Sequence, residues 1–308
     1  MEQRGVGVEI VEVGPRDGLQ NEQRVLPTSV KVDYVSRAIA AGLRRIEVTA
    51  FAHPGRVPQM ADAEEVLRSV PRPPDVRYIA LVLNGRGLDR ALALESKRPD
   101  EINYVVVASD EFSRRNQGVS TIESLAAFRG VAARARDAGF FVTLTVAAAF
   151  GCPFSGAMSA SRVREIVADA GPLDEICLAD TIGVGVPGQV AELAGEVRSV
   201  AAGVPLRAHF HNTRNTGYAN AVAAVSAGFV ALDASLGGIG GCPFAPAATG
   251  NIATEDLAYL LNNSALKTGV DVTAAAAVGT WIGGQLGLDT VPAQLGRAGD
   301  FTRQVLRD

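Results

Sequence analysis

Apolar, β-branched runs long enough for one strand alternate with longer runs at helical spacing, and the alternation repeats eight times along the chain. The strand-length runs are Val8–Val13, Arg45–Thr49, Arg77–Leu83, Glu101–Ala108, Phe141–Ala147, Glu175–Leu178, Leu206–His211 and Val230–Leu236. Helical spacing follows over Thr28–Ala41, Asp62–Ser69, Leu88–Glu95, Thr121–Asp137, Ser161–Ala170, Val186–Ala201, Gly217–Ala227 and Thr254–Asn262. Thr28, Ser161 and Thr254 stand as candidate N-caps, and Gly42, Gly139, Gly203 and Gly228 close helices. Eight strand-helix units with no break in composition predict an α/β fold, a (β/α)8 TIM barrel over about residues 8–264, and not a doubly wound sheet with a second domain. Residues from about 265 to 308 exceed the eight units and are expected to add a C-terminal helical segment to the same single domain.

Composition narrows the function classes. The net charge of -4, without a basic block, gives no electrostatic drive toward nucleic acid, and no nucleic-acid partner is expected. The apolar stretch Val272–Leu288 is interrupted by Gly279, Gly283, Gly284, Gln285 and Gly287, so it falls short of a membrane span and no membrane association is expected. The three cysteines, Cys152, Cys177 and Cys242, are odd in number and far apart, which fits a reducing compartment. With a polar start leading directly into a strand, the expected location is cytoplasmic.

In a barrel of this kind the reactive groups stand at the C-terminal ends of the strands and in the loops that follow. The seventh run carries His209 and His211, two of the chain's three histidines, at positions i and i+2, which a strand turns to one face. Neutral imidazole is a good ligand for divalent transition metals; a hydrogen-bonded pair of core histidines is the competing reading. The first run ends in Gly14-Pro-Arg16-Asp17-Gly18, where Asp17 is either a turn carboxylate or a third ligand. With the amide of Asn251 after the eighth run, Asp17, His209 and His211 form a candidate set of two nitrogens and two oxygens, open to manganese, magnesium, iron or zinc.

Further candidates surround that set. Arg16 offers a forked cation to an oxygen on which negative charge develops, with Glu47 as its expected orienting partner, although a structural Arg–Glu pair would look the same in sequence. Asp180, in Leu178-Ala-Asp-Thr-Ile-Gly183, either holds a water or a catalytic base or ties down its own loop. Gly237–Gly241, four glycines in five residues, reads as a mobile lid, and Cys242 directly after it as a candidate general acid or base. Cys152 and Cys177 read as structural.

Val13-Gly-Pro-Arg-Asp-Gly-Leu-Gln-Asn-Glu22, Val57-Pro-Gln-Met60, Asp180-Thr-Ile-Gly-Val-Gly185 and Gly240-Gly-Cys-Pro-Phe-Ala245 with Gly250-Asn-Ile-Ala-Thr-Glu-Asp256 resemble the 3-hydroxy-3-methylglutaryl-CoA lyase family, from about residue 8 to residue 290. The resemblance implies a retro-Claisen cleavage of a 3-hydroxyacyl-CoA to acetyl-CoA and an oxo acid, with Mg2+ or Mn2+ held by Asp17, His209, His211 and Asn251. It further implies Arg16 on the enolate oxygen, Cys242 with His209 or Asp180 in proton transfer, Asn116 in contact with substrate, and often a homodimer. Coenzyme A needs cations for its phosphates, and Arg114, Arg115 and Arg86 are candidates. The chain departs from the family pattern at Gln23, Ala50, Cys177 and Asn212–Arg214, so the acyl portion of the substrate is expected to differ, with Arg214 receiving a carboxylate. A Claisen synthase, a metal-dependent aldolase acting on a 4-hydroxy-2-oxo acid, and an inactive metal-binding barrel are the competing readings.

Overall fold

The structure, a computed structural model, describes residues 7–241 and 250–298. Eight parallel strands close into a barrel: β1 (Glu9–Glu12), β2 (Arg45–Ala50), β3 (Arg77–Leu81), β4 (Glu101–Val107), β5 (Phe141–Ala147), β6 (Glu175–Asp180), β7 (Leu206–Phe210) and β8 (Ala231–Ala234). The seam is sealed by β1 against β8, with Glu9 opposite Ala231 and Glu12 opposite Ala234. The expected (β/α)8 TIM barrel is the observed fold.

Strand periodicity sorts side chains to two faces. Ile46, Val48, Leu144, Val146 and Leu178 face the helices and form the apolar core with residues such as Phe128, Val163 and Leu193. The barrel interior is different: Val11, Val13, Ile79 and Ala231 make a small apolar cluster, and below the site charged groups fill the rest. Arg45 binds Glu101 and Glu175, the latter through two bonds of 2.8 Å, and Arg207 lies 3.4 Å from Glu175 and 3.2 Å from Asp233. Removing one member of such a buried network leaves an uncompensated charge, at about 3–5 kcal/mol.

Local chemistry corrects several sequence expectations. Thr28 is not a cap; it follows Pro27 inside the helix Thr28–Ala40 and its hydroxyl donates to Asp62 (2.7 Å). Ser159, not Ser161, caps the helix Ala160–Asp169 by accepting from the Arg162 N–H, and Thr254 spends its hydroxyl on Glu12. The helix after β3 runs Gly85–Leu92, starting earlier than expected because Asn84 caps it. Gly42, Gly139, Gly203 and Gly228 do close helices, each at positive φ. A helix not foreseen, Asp110–Gln117, follows β4 behind the cap Ser109, and a two-residue hairpin pairs Gly151–Cys152 with Gly156–Ala157. Beyond the eighth unit, Val272–Leu286 forms the expected helix, begun by the Asp271 cap and ended by Gly287, and packs against Thr28–Ala40 and the exit of β8. Among the described residues no helix is long and apolar enough to cross a membrane.

Candidate active site

The chain leaves β1 in a widened turn, Gly14–Gly18, in which the Val13 carbonyl accepts from the N–H groups of Arg16, Asp17 and Gly18. Such turns are uncommon and recur at functional sites. This one sets Arg16 and Asp17 side by side at the barrel mouth. The Arg16 guanidinium donates to Glu47 Oε2 through Nε (2.8 Å) and a terminal nitrogen (2.5 Å), and to Asp17 Oδ1 (2.8 Å). Glu47 is in turn fixed by Asn103 (2.9 Å), and Asn103 by the Thr145 hydroxyl (2.7 Å).

His209 and His211 enter from the end of β7, ring centroids 5.2 Å apart. Asp17, His209 and His211 present ligand atoms that all lie within 4.8 Å of one another. Asn251, bridged to His211 in the backbone, donates its amide N–H to Asp17 Oδ2 (2.9 Å). Asp233 on β8, opposite His209 in register, engages His209 Nδ1 at 3.2 Å and leaves Nε2 facing Asp17. Burial would raise Asp17, but Arg16, the two histidines and the Asn251 amide outweigh it and hold the carboxyl well below its usual range. Burial pushes His211 down to about 4, with His209 adding to the effect. For His209 the burial penalty is overcome by the Asp233 hydrogen bond and the Asp17 charge, which raise it.

Two buried atoms in this group, His211 Nδ1 and Asn251 Oδ1, have no hydrogen-bond partner among the described residues. Buried polar atoms are normally satisfied, so an orphaned pair beside an ionised carboxylate fits an ion as the absent partner.

The other sequence candidates divide. Asp180 spends both oxygens on its own loop, accepting from Val184 N–H (3.0 Å) and Gly185 N–H (2.8 Å), and burial raises its carboxyl. Arg214 donates to the carbonyls of Gly183 (3.0 Å) and Ile182 (3.3 Å), clamping the same loop. Arg114 and Arg115 lie on the unforeseen helix, not on a loop, and each pairs with a carboxylate one turn earlier, Asp110 or Glu111. Asn116 is exposed on that helix, and Arg86 is exposed in the first turn of Gly85–Leu92. Ala50 packs into the core between barrel and helices. Cys177 faces the interior, its Sγ 3.8 Å from Asp233, and burial pushes the thiol up to about 12. Gln23 is exposed. Cys242 lies outside the described residues.

Gly237–Gly241 departs from the expected lid. Gly237 N–H donates to Glu255, the Gly240 carbonyl accepts from Asn251 N–H (3.1 Å), and the Gly241 carbonyl accepts from Asn21 (2.9 Å). Gly240 sits at φ +101°, where a Cβ would lie 2.7 Å from Gly18 Cα, so this glycine serves close approach to the Asp17 turn. Sequence reasoning passed over Asn103 and Asp233, polar residues inside the fourth and eighth strand runs.

The HMGL-like family profile matches residues 7–282. The chain is 43% identical over 311 residues to a (R)-citramalyl-CoA lyase of Chloroflexus aurantiacus, covering 97% of each chain. It is 42% identical over 285 residues to a hydroxymethylglutaryl-CoA lyase of Pseudomonas mevalonii, covering 91% of this chain and 93% of the relative. Among solved structures, an HMG-CoA lyase from Acinetobacter baumannii in complex with coenzyme A and 3-methylmalate superimposes with a TM-score of 0.91 at 36% identity, covering 98% of each chain.

Proposed function

The chain belongs to the HMGL-like family, and from that premise we propose that it is a divalent-metal-dependent carbon–carbon lyase, cleaving the coenzyme A thioester of a 3-hydroxy-3-methyl acid to acetyl-CoA and an oxo acid. The observation that carries this reading is the meeting of Asp17, His209 and His211 beside the Arg16 guanidinium, at the C-terminal mouth of the barrel. Asp17, His209, His211 and Asn251 would hold Mg2+ or Mn2+, an ion that supplies a Lewis acid to make the substrate's tertiary hydroxyl easier to deprotonate.

The chain's own groups supply the rest. In the cleavage the hydroxyl proton leaves, the C2–C3 bond breaks, and its electron pair passes onto the thioester as the enolate of acetyl-CoA, whose carbon then takes up a proton. Arg16 is the cation for the enolate oxygen, held in place by Glu47, Asn103 and Thr145 so that little reorganisation is needed as charge develops. Asp180 and Arg214 fix the loop after β6 that borders the site. Cys242 is proposed as proton donor to the enolate carbon on its motif alone, with His209 or Asp180 completing the relay. Arg114, Arg115, Arg86 and Asn116 remain candidates for the coenzyme A end of the substrate.

The thioesters named by the relatives differ by one methylene between the carbinol carbon and its carboxylate. A methylene is worth only about 10–200-fold in discrimination, so both are substrates to test. The relative that is 43% identical and covers 97% of each chain is named a (R)-citramalyl-CoA lyase, which favours the shorter citramalyl group, whose carboxylate sits on the carbinol carbon. The test is acetyl-CoA release from (R)-citramalyl-CoA and hydroxymethylglutaryl-CoA with Mn2+ or Mg2+. Release that a chelator abolishes supports the lyase; a higher kcat/KM for hydroxymethylglutaryl-CoA overturns the acyl preference, and no release from either by protein that binds Mn2+ overturns the activity.

A further inference from the structure

Glu12 is buried completely on the helix-facing side of β1, and all of its hydrogen-bond donors are uncharged. Its Oε1 accepts from Gly14 N–H (2.9 Å), Leu236 N–H (3.0 Å) and the Tyr34 hydroxyl (3.3 Å), while Oε2 accepts from the Thr254 hydroxyl (2.6 Å). These four donors come from four separate stretches of chain. Gly14 opens the turn that carries Arg16 and Asp17, Leu236 lies at the exit of β8, Tyr34 is on the first helix, and Thr254 begins the helix just after Asn251. A carboxyl group buried without a cation is costly, and burial pushes this one up to about 7 against the pull of its four bonds. Such a group is replaceable by apolar packing unless its bonds do something that packing does not, because here its loss would orphan two backbone N–H groups at the mouth of the site.

The surroundings are shaped to it. A Cβ at Gly14 would overlap both the Tyr34 hydroxyl and Glu12 Oε1, so the turn must begin with glycine for the bond to form. Glu255 repeats the device one residue further on, its two oxygens accepting from Gly237 N–H at 3.1 and 3.0 Å. The metal set is drawn from the two ends of the chain, Asp17 near the start and His209, His211 and Asn251 more than 190 residues later, so something must hold these ends in register where the barrel closes.

We propose that Glu12 is a positioning residue for that set: one carboxyl on β1 fastens the Asp17 turn to the β8 exit and to the segment carrying Asn251. The inference rests on reading Asp17, His209, His211 and Asn251 as metal ligands. Glu12 itself touches neither metal nor substrate; it acts through Gly14, Leu236 and Thr254.

The experiment compares full-length wild type, Glu12→Ala, Glu12→Gln and Val142→Ala, the last a buried residue on the far side of the barrel chosen to lower Tm without touching the seam. Mn2+ binding is followed by the EPR signal of the free ion, and amide hydrogen exchange by mass spectrometry of peptides covering residues 13–19 and 234–241. Glu12→Ala is expected to weaken Mn2+ binding about tenfold or more, the range typical of groups that orient ligands, and to raise exchange in both peptides together. Glu12→Gln keeps an acceptor oxygen for the two N–H groups and should restore both readouts, whereas Val142→Ala should move neither. Wild-type affinity in Glu12→Ala, or an equal loss in Val142→Ala, overturns the proposal. If Glu12→Ala does not fold, Thr254→Val removes only the Oε2 donor, and an affinity and exchange pattern unchanged in that variant overturns it equally. If wild type binds no Mn2+, the functional reading fails, and exchange alone decides this inference: joint opening of the two peptides supports it, and opening of one or neither overturns it.

Discussion

Asp233 decides which nitrogen of His209 is free. With Nδ1 engaged at 3.2 Å, Nε2 is turned toward Asp17, and the ring keeps that orientation without help from an ion. Asp233→Asn is therefore expected to weaken Mn2+ binding about 10–100-fold, measured by calorimetric titration, because the amide no longer selects one tautomer. An unchanged affinity would mean that β7 alone orients the ring. Arg16 gives a contrasting case. Arg16→Lys retains a charge but loses the fork on Glu47, so turnover should fall about 10²–10³-fold while Mn2+ affinity changes little. A parallel loss of both would make Arg16 a structural partner of Asp17 and nothing more. Arg16, Asp17, His209, His211 and Asn251 were legible in the sequence because each is polar toward the C-terminal end of a strand or in the loop beyond it, and Glu47 as a carboxylate inside the second strand run. Asn103 and Asp233 also stand inside strand runs, but Glu101 and Ser235 stand there beside them, neither belongs to a motif, and their value lies in partners that only the register reveals.

Elements were legible where an apolar run or stripe marks them and were missed where none does. The eight strands were readable because they are buried on both faces and so read as apolar runs of strand length. The helix Asp110–Gln117 buries only Phe112 and Ser113, so it carries no apolar stripe, and its sequence signals lie only at its ends, the Ser109 cap and Gly118. Caps failed in the other direction: Thr28 and Thr254 were spent on Asp62 and Glu12, distant partners that a local rule does not see. The glycine run after β8 shows a third limit, since sequence alone does not separate glycine used for freedom from glycine used for close approach. Gly240 distinguishes the two by experiment. A Cβ there would lie 2.7 Å from Gly18 Cα at a φ of +101°, so Gly240→Ala should cost about 1–3 kcal/mol, seen as a lower urea midpoint with an unchanged slope. An unaltered midpoint would show that the neck is loose and that the run serves freedom after all.

The molecule as a whole carries buried carboxyls whose ionisation the fold opposes, and this gives it a pH dependence of unusual sign. Burial raises Glu12 from 4.5 to about 7 and Glu255 from 4.5 to about 8. Each folded-state value lies above the unfolded one, so the folded chain binds protons more tightly between them, and the stability they contribute is complete below 4.5 and lost as pH rises through about 7 and 8. Asp17 has the opposite sense, its stabilisation being lost only on acidification below the ordinary carboxylate range, outside this window. The two histidines are shifted in opposite directions, His209 raised by the Asp233 hydrogen bond and the Asp17 charge and His211 lowered to about 4 by burial, so the raw profile mixes several groups. The difference between wild type and Glu12→Gln isolates one of them. A carboxyl moved from 4.5 to about 7 changes the folding free energy by about 3 kcal/mol across that interval. In a chain of 308 residues that corresponds to about 5 °C in Tm. Wild type should therefore lose about that much relative to Glu12→Gln between pH 5 and pH 8, read by calorimetry at both pH values. Parallel profiles would mean that Glu12 ionises in the folded chain at its ordinary value of 4.5, and that its four uncharged donors offset the cost of burying the charge.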